Sequence, residues 1–383
     1  MAWAIDDANM RLTYGRQLTA KSMEMNWWNK FMNNTESSII MTDLREEKPT
    51  GATIQVSFRG EIEGDGVFGN QDFSQNRGKQ VELTQTIDYS LFGQSMKSRN
   101  QKIESKAVAN NFRAKAHHDL PKWVAKRMDK IITAKLSENA SNIIACSSAT
   151  GVYANNNTSS ITAGDRLSVQ AIREAKKRAK NGIDGDGNAH PEIEPAFSRV
   201  VTREGGIADY IDYYVLIVGQ YGASQLKNDP EWIEIQKFSA NRGKDNPLFT
   251  GAMGEIDGVI VFERSNWSAT KPGVLTSDIK EFKISSDGED LIIASGFDSY
   301  AGVNDHKTEI ALFLGATAGL LAFEESFDYY EDDVDAKRKL EIGIDRGTGF
   351  ASTRYKGKTT QEQASIYHDK DFGKALIVYS AEM

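Results

Sequence analysis

An α+β fold is predicted from three stretches of this sequence. Between Thr50 and Gln94, Ile54, Val56 and Phe58, then Val81, Leu83, Ile87, Tyr89 and Leu91, alternate with polar neighbours, the period of two that half-buried strands require. From Lys97 to Ile144 the period changes: Phe112, Ala116, Leu120, Trp123, Val124, Met128, Ile131, Ile132 and Leu136 recur at three- and four-residue steps, lining one face of a long helix. The run "YYVLIVG" from Tyr213 is apolar without alternation, as in a central strand covered on both faces.

At 383 residues the chain exceeds the usual size of one hydrophobic core, so subdomains are expected. Apolar residues are 39% and charged residues 26%, and no run approaches the ~20 apolar residues that cross a bilayer, so no membrane span is expected. The start, "MAWAIDDANMRLTYG", is acidic and lacks the apolar segment of a secretory signal. Cys146 is the only cysteine, which excludes an internal disulfide and suits a reducing compartment. The net charge of -8 argues against indiscriminate wrapping of nucleic acid but leaves room for one local basic face.

Taken in order, residues 1–48 place Met23, Met25, Trp27, Trp28, Phe31 and Met32 among Asn and Thr without a sustained amphipathic period. Such a segment is either a helix on its own core or an arm that buries its tryptophans against a neighbour. The two alternating segments then read as a hairpin. Their connection, Arg59 to Lys79, carries five glycines with Glu61, Glu63 and Asp65; a loop of that length is expected to project and to work. In the long helix Lys115, Lys122, Lys126 and Lys130 occupy the flank opposite the apolar stripe, and Lys97 to Glu138 holds eleven Lys or Arg against four Asp or Glu. Pro121 should kink this helix or divide it into two. A polar patch, "NNNTSSITAG", marks a boundary. Ser168 caps a second helix that Gly182 ends. After the buried strand at Tyr213 come a short helix through Ser224 to Leu226 and strands at 258–262, 309–314, 340–344 and 375–379.

The motifs that could carry chemistry are incomplete. Gly64 to Gly69 matches G-x-G-x-x-G but leads into a strand, whereas a dinucleotide site needs those glycines to open a helix. Gly357-Lys358-Thr359 lacks the first glycine of a phosphate loop, since Ser352 stands there. Asp184 to Asn188 begins like a calcium loop, but Ala189 and Pro195 fall where Gly and Glu are required, and a turn is the better reading. Five scattered histidines show no zinc spacing, and adjacent His117 and His118 cannot share a helix face. Cys146 reads as a small buried hydrophobe. Glu331, Asp332, Asp333 and Asp335 read as a solvated acidic turn. Neither an enzyme nor a cofactor is expected.

Arm, hairpin with an outsized loop, long helix, α/β unit and returning strands, in that order, resemble the major capsid proteins of tailed bacteriophages with the Hong Kong 97-type fold, in the N4-like branch. The similar stretches are "GDGVFGNQDF" from Gly64, "DYSLFGQSMKSRNQ" from Asp88, "YYVLIVGQYGASQLKNDPEW" from Tyr213 and "NPLFTGAMGEIDGVIVFE" from Asn246. The resemblance spans about residues 10 to 380; the stretch from Thr276 to His306 looks like an insertion.

This resemblance implies an arm over 1–48, an extended loop over 49–96, a peripheral domain with its spine helix over 97–163, an axial domain over 164–325 and a return to the periphery over 326–383. It implies a coat protein that self-assembles through hexamers and pentamers into an icosahedral shell around double-stranded DNA, in the virion and, during assembly, in the host cytoplasm. Scaffolding, portal and cement proteins would be its partners. Trp27, Trp28, Phe68, Asn70 and Phe73 become candidate subunit contacts, and Lys115, Lys122, Lys126 and Lys130 candidate genome-facing residues. The rival reading is another self-assembling phage structural protein or an encapsulating-compartment shell.

Overall fold

The computed structural model describes residues 8–35, 37–45, 53–63, 66–70, 72–73, 79–99, 112–138, 140–149, 151–153, 156–202, 208–239, 252–264, 280–284, 291–293, 302–336, 338–357 and 360–382. The chain opens with helix α1 (Ala8–Met25), a 3-10 turn (Trp27–Phe31) and strands β1 (Met32–Asn33) and β2 (Ile40–Arg45). The hairpin β3 (Thr53–Glu63) and β4 (Lys79–Asp88) runs into β5 (Ser90–Lys97), and the long helix α2 (Phe112–Ser137) follows. Next come β6 (Ile143–Ser147), β7 (Gly151–Val152), α3 (Val169–Asn181), β8 (Phe197–Thr202), β9 (Ala208–Val218), α4 (Gln220–Asn228) and α5 (Pro230–Ser239). Strands β10 (Ala252–Ile256), β11 (Val259–Glu263), β12 (Lys280–Ile284), β13 (Leu291–Ile293), β14 (Thr308–Leu314), β15 (Gly319–Glu324), β16 (Asp328–Val334) and β17 (Lys339–Ser352) precede the short α6 (Thr360–Gln363) and the last strand, β18 (Lys374–Ser380).

Two sheets organise these elements. An eight-stranded mixed sheet runs β10-β11-β9-β14-β18-β6-β7, with β8 also on β9. A six-stranded one runs β1-β2-β15-β17-β16, with β5 also on β17. Strand β9 is central, as its composition requires: Tyr213, Val215 and Ile217 face one core, shared with α2, while Tyr214, Leu216 and Val218 face the other, shared with α3 and α4. A strand buried on both sides has no polar face to alternate. Helix α3 is bounded as expected, with Ser168 Oγ accepting from the Ala171 amide and Gly182 closing it at φ 59°, a left-handed conformation that favours glycine.

Two expectations are corrected, and two features lie beyond them. Helix α2 continues through a buried Pro121 as one element and stops at Ser137; the apolar residues at Ile143 and Ile144 belong to β6. The alternating residues from Val81 to Leu91 are not one strand. They split at Tyr89 into β4, which pairs with β3, and β5, which joins β17. Residues 1–48 contain an 18-residue helix in which the buried positions among the described side chains are Gly15, Leu18, Thr19 and Ser22. Their spacing is helical but, apart from Leu18, they are small or polar, so no apolar stripe shows. That smallness has a use: the Phe327 carbonyl lies 2.0 Å from where a Cβ on Gly15 would sit, and Thr19 Oγ1 accepts from the Phe327 amide at 3.2 Å. Lastly, the sheets do not follow the boundary at 325/326. Strand β15 lies in the six-stranded sheet beside β2, and β18 lies in the eight-stranded sheet between β14 and β6, because β14 and β18 pair in register from Thr308–Ser380 to Leu314–Lys374.

A buried acid of this framework bears on stability. Glu309 of β14 points beneath the start of α4, where its Oε2 accepts from the Gly222 amide and the Tyr379 hydroxyl, each at 2.8 Å. Burial pushes its pKa up to about 7.

Candidate assembly surfaces

The hairpin is built to reach outward. Among the described residues strands β3 and β4 pair only with each other, in register from Thr53–Asp88 to Arg59–Glu82, with an irregularity before Ile62–Gln80. Eleven residues at about 3.3 Å each give a ribbon of roughly 35 Å. Its base is anchored. Ile54, Val56 and Ile87 pack on Leu320 and Ala322 of β15, Gln85 Nε2 donates to the Ser352 carbonyl at 2.6 Å, and the Arg354 amide donates to Gln85 Oε1 at 3.0 Å. At the far end Gly66 and Gly69 adopt positive φ, and Phe68 and Phe73 are each 78% exposed, with Asn70 exposed between them. Two phenylalanines held in water at the end of a ribbon are unusual for a monomer and ordinary for a contact surface.

The tryptophans do not join that surface. Trp28 is fully buried in the main core, its amide donating to Asn26 Oδ1 at 2.9 Å at the cap of the 3-10 turn. Half-buried Trp27 meets Trp28, Phe31 and Phe262 edge-on, with ring centroids 5.1, 5.3 and 6.1 Å away. The Arg264 guanidinium lies 5.0 Å from the Trp27 ring and is paired with Asp129 of α2 at 2.8 Å. The pair therefore ties the amino-terminal segment to α2 and β11 of its own subunit. Within the single chain Trp28 thus already has a core to fill.

The four lysines do share a flank. Lys115, Lys122, Lys126 and Lys130 are all exposed, on the side of α2 away from Ala116, Leu120, Val124 and Met128. At 1.5 Å per residue they form a basic strip of about 22 Å, and none has an ion-pair partner among the described residues. The adjacent histidines diverge. The His117 ring packs on Tyr14 and Tyr329 at 4.9 and 5.6 Å, whereas His118 Nδ1 meets the Asp119 carboxylate at 2.9 Å.

The remaining motifs hold structure. Asp184 Oδ1 accepts from the Asp186 and Asn188 amides at 3.0 and 2.8 Å, and Oδ2 meets Lys370 Nζ at 3.3 Å, so the calcium-like segment is a turn closed on itself. Cys146 is fully buried in the core of the eight-stranded sheet. Glu331 is bound by Arg113 and by the Tyr329 hydroxyl, and Asp335 pairs with Lys339 at 3.0 Å; this acidic turn is more engaged than a solvated one. Lys358 and Thr359, and Gly64 and Asp65 of the G-x-G-x-x-G stretch, lie outside the described residues. Among the described residues no helix is long and apolar enough to cross a membrane, and no three His, Cys, Asp or Glu gather as a metal site.

Comparison with known proteins follows the same line. A family model described as "Phage capsid protein" matches residues 4–381. The "Major structural protein ORF14" of Helicobacter pylori bacteriophage KHP30 is 26% identical over 341 residues, covering 85% of this chain and 83% of that protein. The "Major capsid protein" of Pseudomonas phage KPP25 is 22% identical over 271 residues, covering 61% and 66%. Among solved structures, the acid-stable capsid of phage KHP30 superposes with a TM-score of 0.68 at 22% identity over 93% of this chain and 91% of that one. The capsid of Ralstonia phage GP4 gives 0.65 at 18% identity over 94% and 92%.

Proposed function

Since this chain belongs to the phage capsid protein family and is the major capsid protein of a tailed phage head, with the Hong Kong 97-type α+β fold and no enzymatic role, we propose that its hairpin tip is what joins neighbouring copies. The observation that carries this is the pair of rings at the tip, Phe68 and Phe73, each 78% exposed on a ribbon whose base packs on β15. In a closed shell every copy both offers and receives a tip. After the first contact the next is nearly intramolecular, so individually weak contacts become collectively hard to undo. Changing Phe68 and Phe73 together to Ala should leave a folded, soluble subunit that does not close shells under negative-stain microscopy. Normal particles from that variant would refute the proposal.

Around this contact we place hexamers and pentamers as the assembly units, formed in the host cytoplasm with scaffolding, portal and cement proteins as helpers. The arrangement of the sheets supports a modified division of labour. The eight-stranded sheet would be the axial domain, with β6, β14 and β18 included, and the six-stranded sheet with α1 and α2 the peripheral one. We propose the N4-like branch from the four similar stretches, of which the runs from Tyr213 and from Asn246 are the most telling.

The basic strip of α2 supports one more proposal: it faces packaged double-stranded DNA and offsets the repulsion between an acidic coat and the phosphates. Reversing Lys122 and Lys126 to Glu should then lower genome retention at low salt. Unchanged retention would make the strip a plain solvated face.

A further inference from the structure

A groove of about 580 Å³ lies where the 3-10 turn and β1 meet the eight-stranded sheet. Its apolar lining includes Phe31, Met32, Phe197, Ile260 and Phe262, and Lys30 is its cation. Lys30 Nζ sits 4.0 Å from the Phe262 ring centroid, 4.3 Å from that of Trp27 and 5.0 Å from that of Phe31. Burial against these rings, then the nearby Arg264 charge, lower the lysine's pKa to about 8. Lys30 has no carboxylate partner among the described residues, while Arg264 has Asp129. The site thus offers aromatic walls and one cation short of an acid.

The hairpin tip is its complement. It carries Phe68 and Phe73, and from Glu61 to Asn76 it holds Glu61, Glu63, Asp65 and Asp72 with no Lys or Arg. A subunit's own tip does not fill its own groove, because both rings stay 78% exposed in the single chain. Aromatic rings prefer edge-on or offset contact with other rings, and a cation held over ring faces gains from an opposite charge brought beside it. A volume of this size also suits a pocket that receives side chains.

We infer that this groove is the receptor for the hairpin tip of a neighbouring copy, with a phenylalanine of that tip against Phe31, Phe197 and Phe262 and its acidic flank beside Lys30. The inference rests on the proposed tip contact and adds where the tip lands.

Cysteine crosslinking tests it, and the buried Cys146 leaves a clean background. Thr35, on the groove rim, and Asp72, at the tip, are both exposed, so T35C and D72C should fold normally. Co-assembled T35C and D72C subunits should give disulfide-linked dimers on mild oxidation, absent when either variant is assembled alone and absent from dissociated subunits. K30E should abolish shell closure, and adding D72K should restore it. Closed particles from the T35C and D72C mixture without linked dimers, or normal closure by K30E, would overturn the groove assignment. The two readings fail separately: if F68A/F73A blocks closure while no crosslink forms, the tip contact stands and the groove is wrong. If F68A/F73A closes normally, the tip contact itself falls.

Discussion

Replacing Glu309 by Gln should stabilise the subunit at neutral pH and leave it unchanged in acid. The carboxyl is buried under the start of α4 and its pKa lies near 7 against 4.5 for an ordinary glutamate. A raised pKa means that the folded state holds the proton more tightly than the unfolded one. The group's stabilising contribution is therefore fully present below 4.5 and is lost as pH rises through about 7. From 4.5 to about 7, at about 1.4 kcal/mol per unit, the loss is about 3 kcal/mol. Glutamine keeps an oxygen for the Gly222 amide and the Tyr379 hydroxyl but cannot ionise, so the loss disappears. Urea denaturation of unassembled subunits at pH 4, 6 and 8 would show it. The gap between variant and parent should be near zero at pH 4 and about 3 kcal/mol at pH 8, a gap accumulated between the two pKa values. A gap of constant size across that range would refute the reasoning.

Other perturbations separate folding from assembly. Trp28→Ala should cost the isolated subunit about 3–5 kcal/mol in denaturation experiments, because a fully buried indole leaves a cavity; an arm held for a neighbour would show no such loss before assembly. Gly349→Ala should cost about 1–3 kcal/mol and make the β3–β4 ribbon more sensitive to protease, since the new Cβ would meet the Asp88 carbonyl oxygen at 2.5 Å and Ile87 Cγ2 at 2.9 Å. Ser168→Ala should lower the unfolding midpoint by the equivalent of about 1 kcal/mol through loss of the α3 cap, with shell formation unaffected.

Local signals in the sequence were legible and distant pairings were not. Ser168 and Gly182 bound α3 by their own chemistry, β9 shows its two-sided burial in its composition, and the alternation at Ile54 and Val56 marks the hairpin base. The projecting tip is visible too, as glycines and two phenylalanines in a stretch too long for a tight turn. By contrast, α1 hides because close approach to Phe327 demands Gly15 and Thr19 where an apolar stripe would announce a helix. Trp28 beside Asn and Thr could equally meet a neighbour or its own core, and only the position of Phe262 and α2 decides. Sheet membership was hidden for a related reason: β6, β14 and β18 come from three regions of the chain, and nothing local in Lys374–Ser380 says which sheet will take it.

The join at Tyr89 has a mechanical consequence. Strand β4 passes its load to β5 through a single residue, and β5 lies antiparallel to β17 over eight pairs, from Ser90–Thr348 to Lys97–Glu341. A pull from the tip that runs along β5 would strain those rungs together, as in a lap joint, instead of parting them one after another as a zipper would. A subunit tugged by its neighbours along this line would thus yield late and all at once.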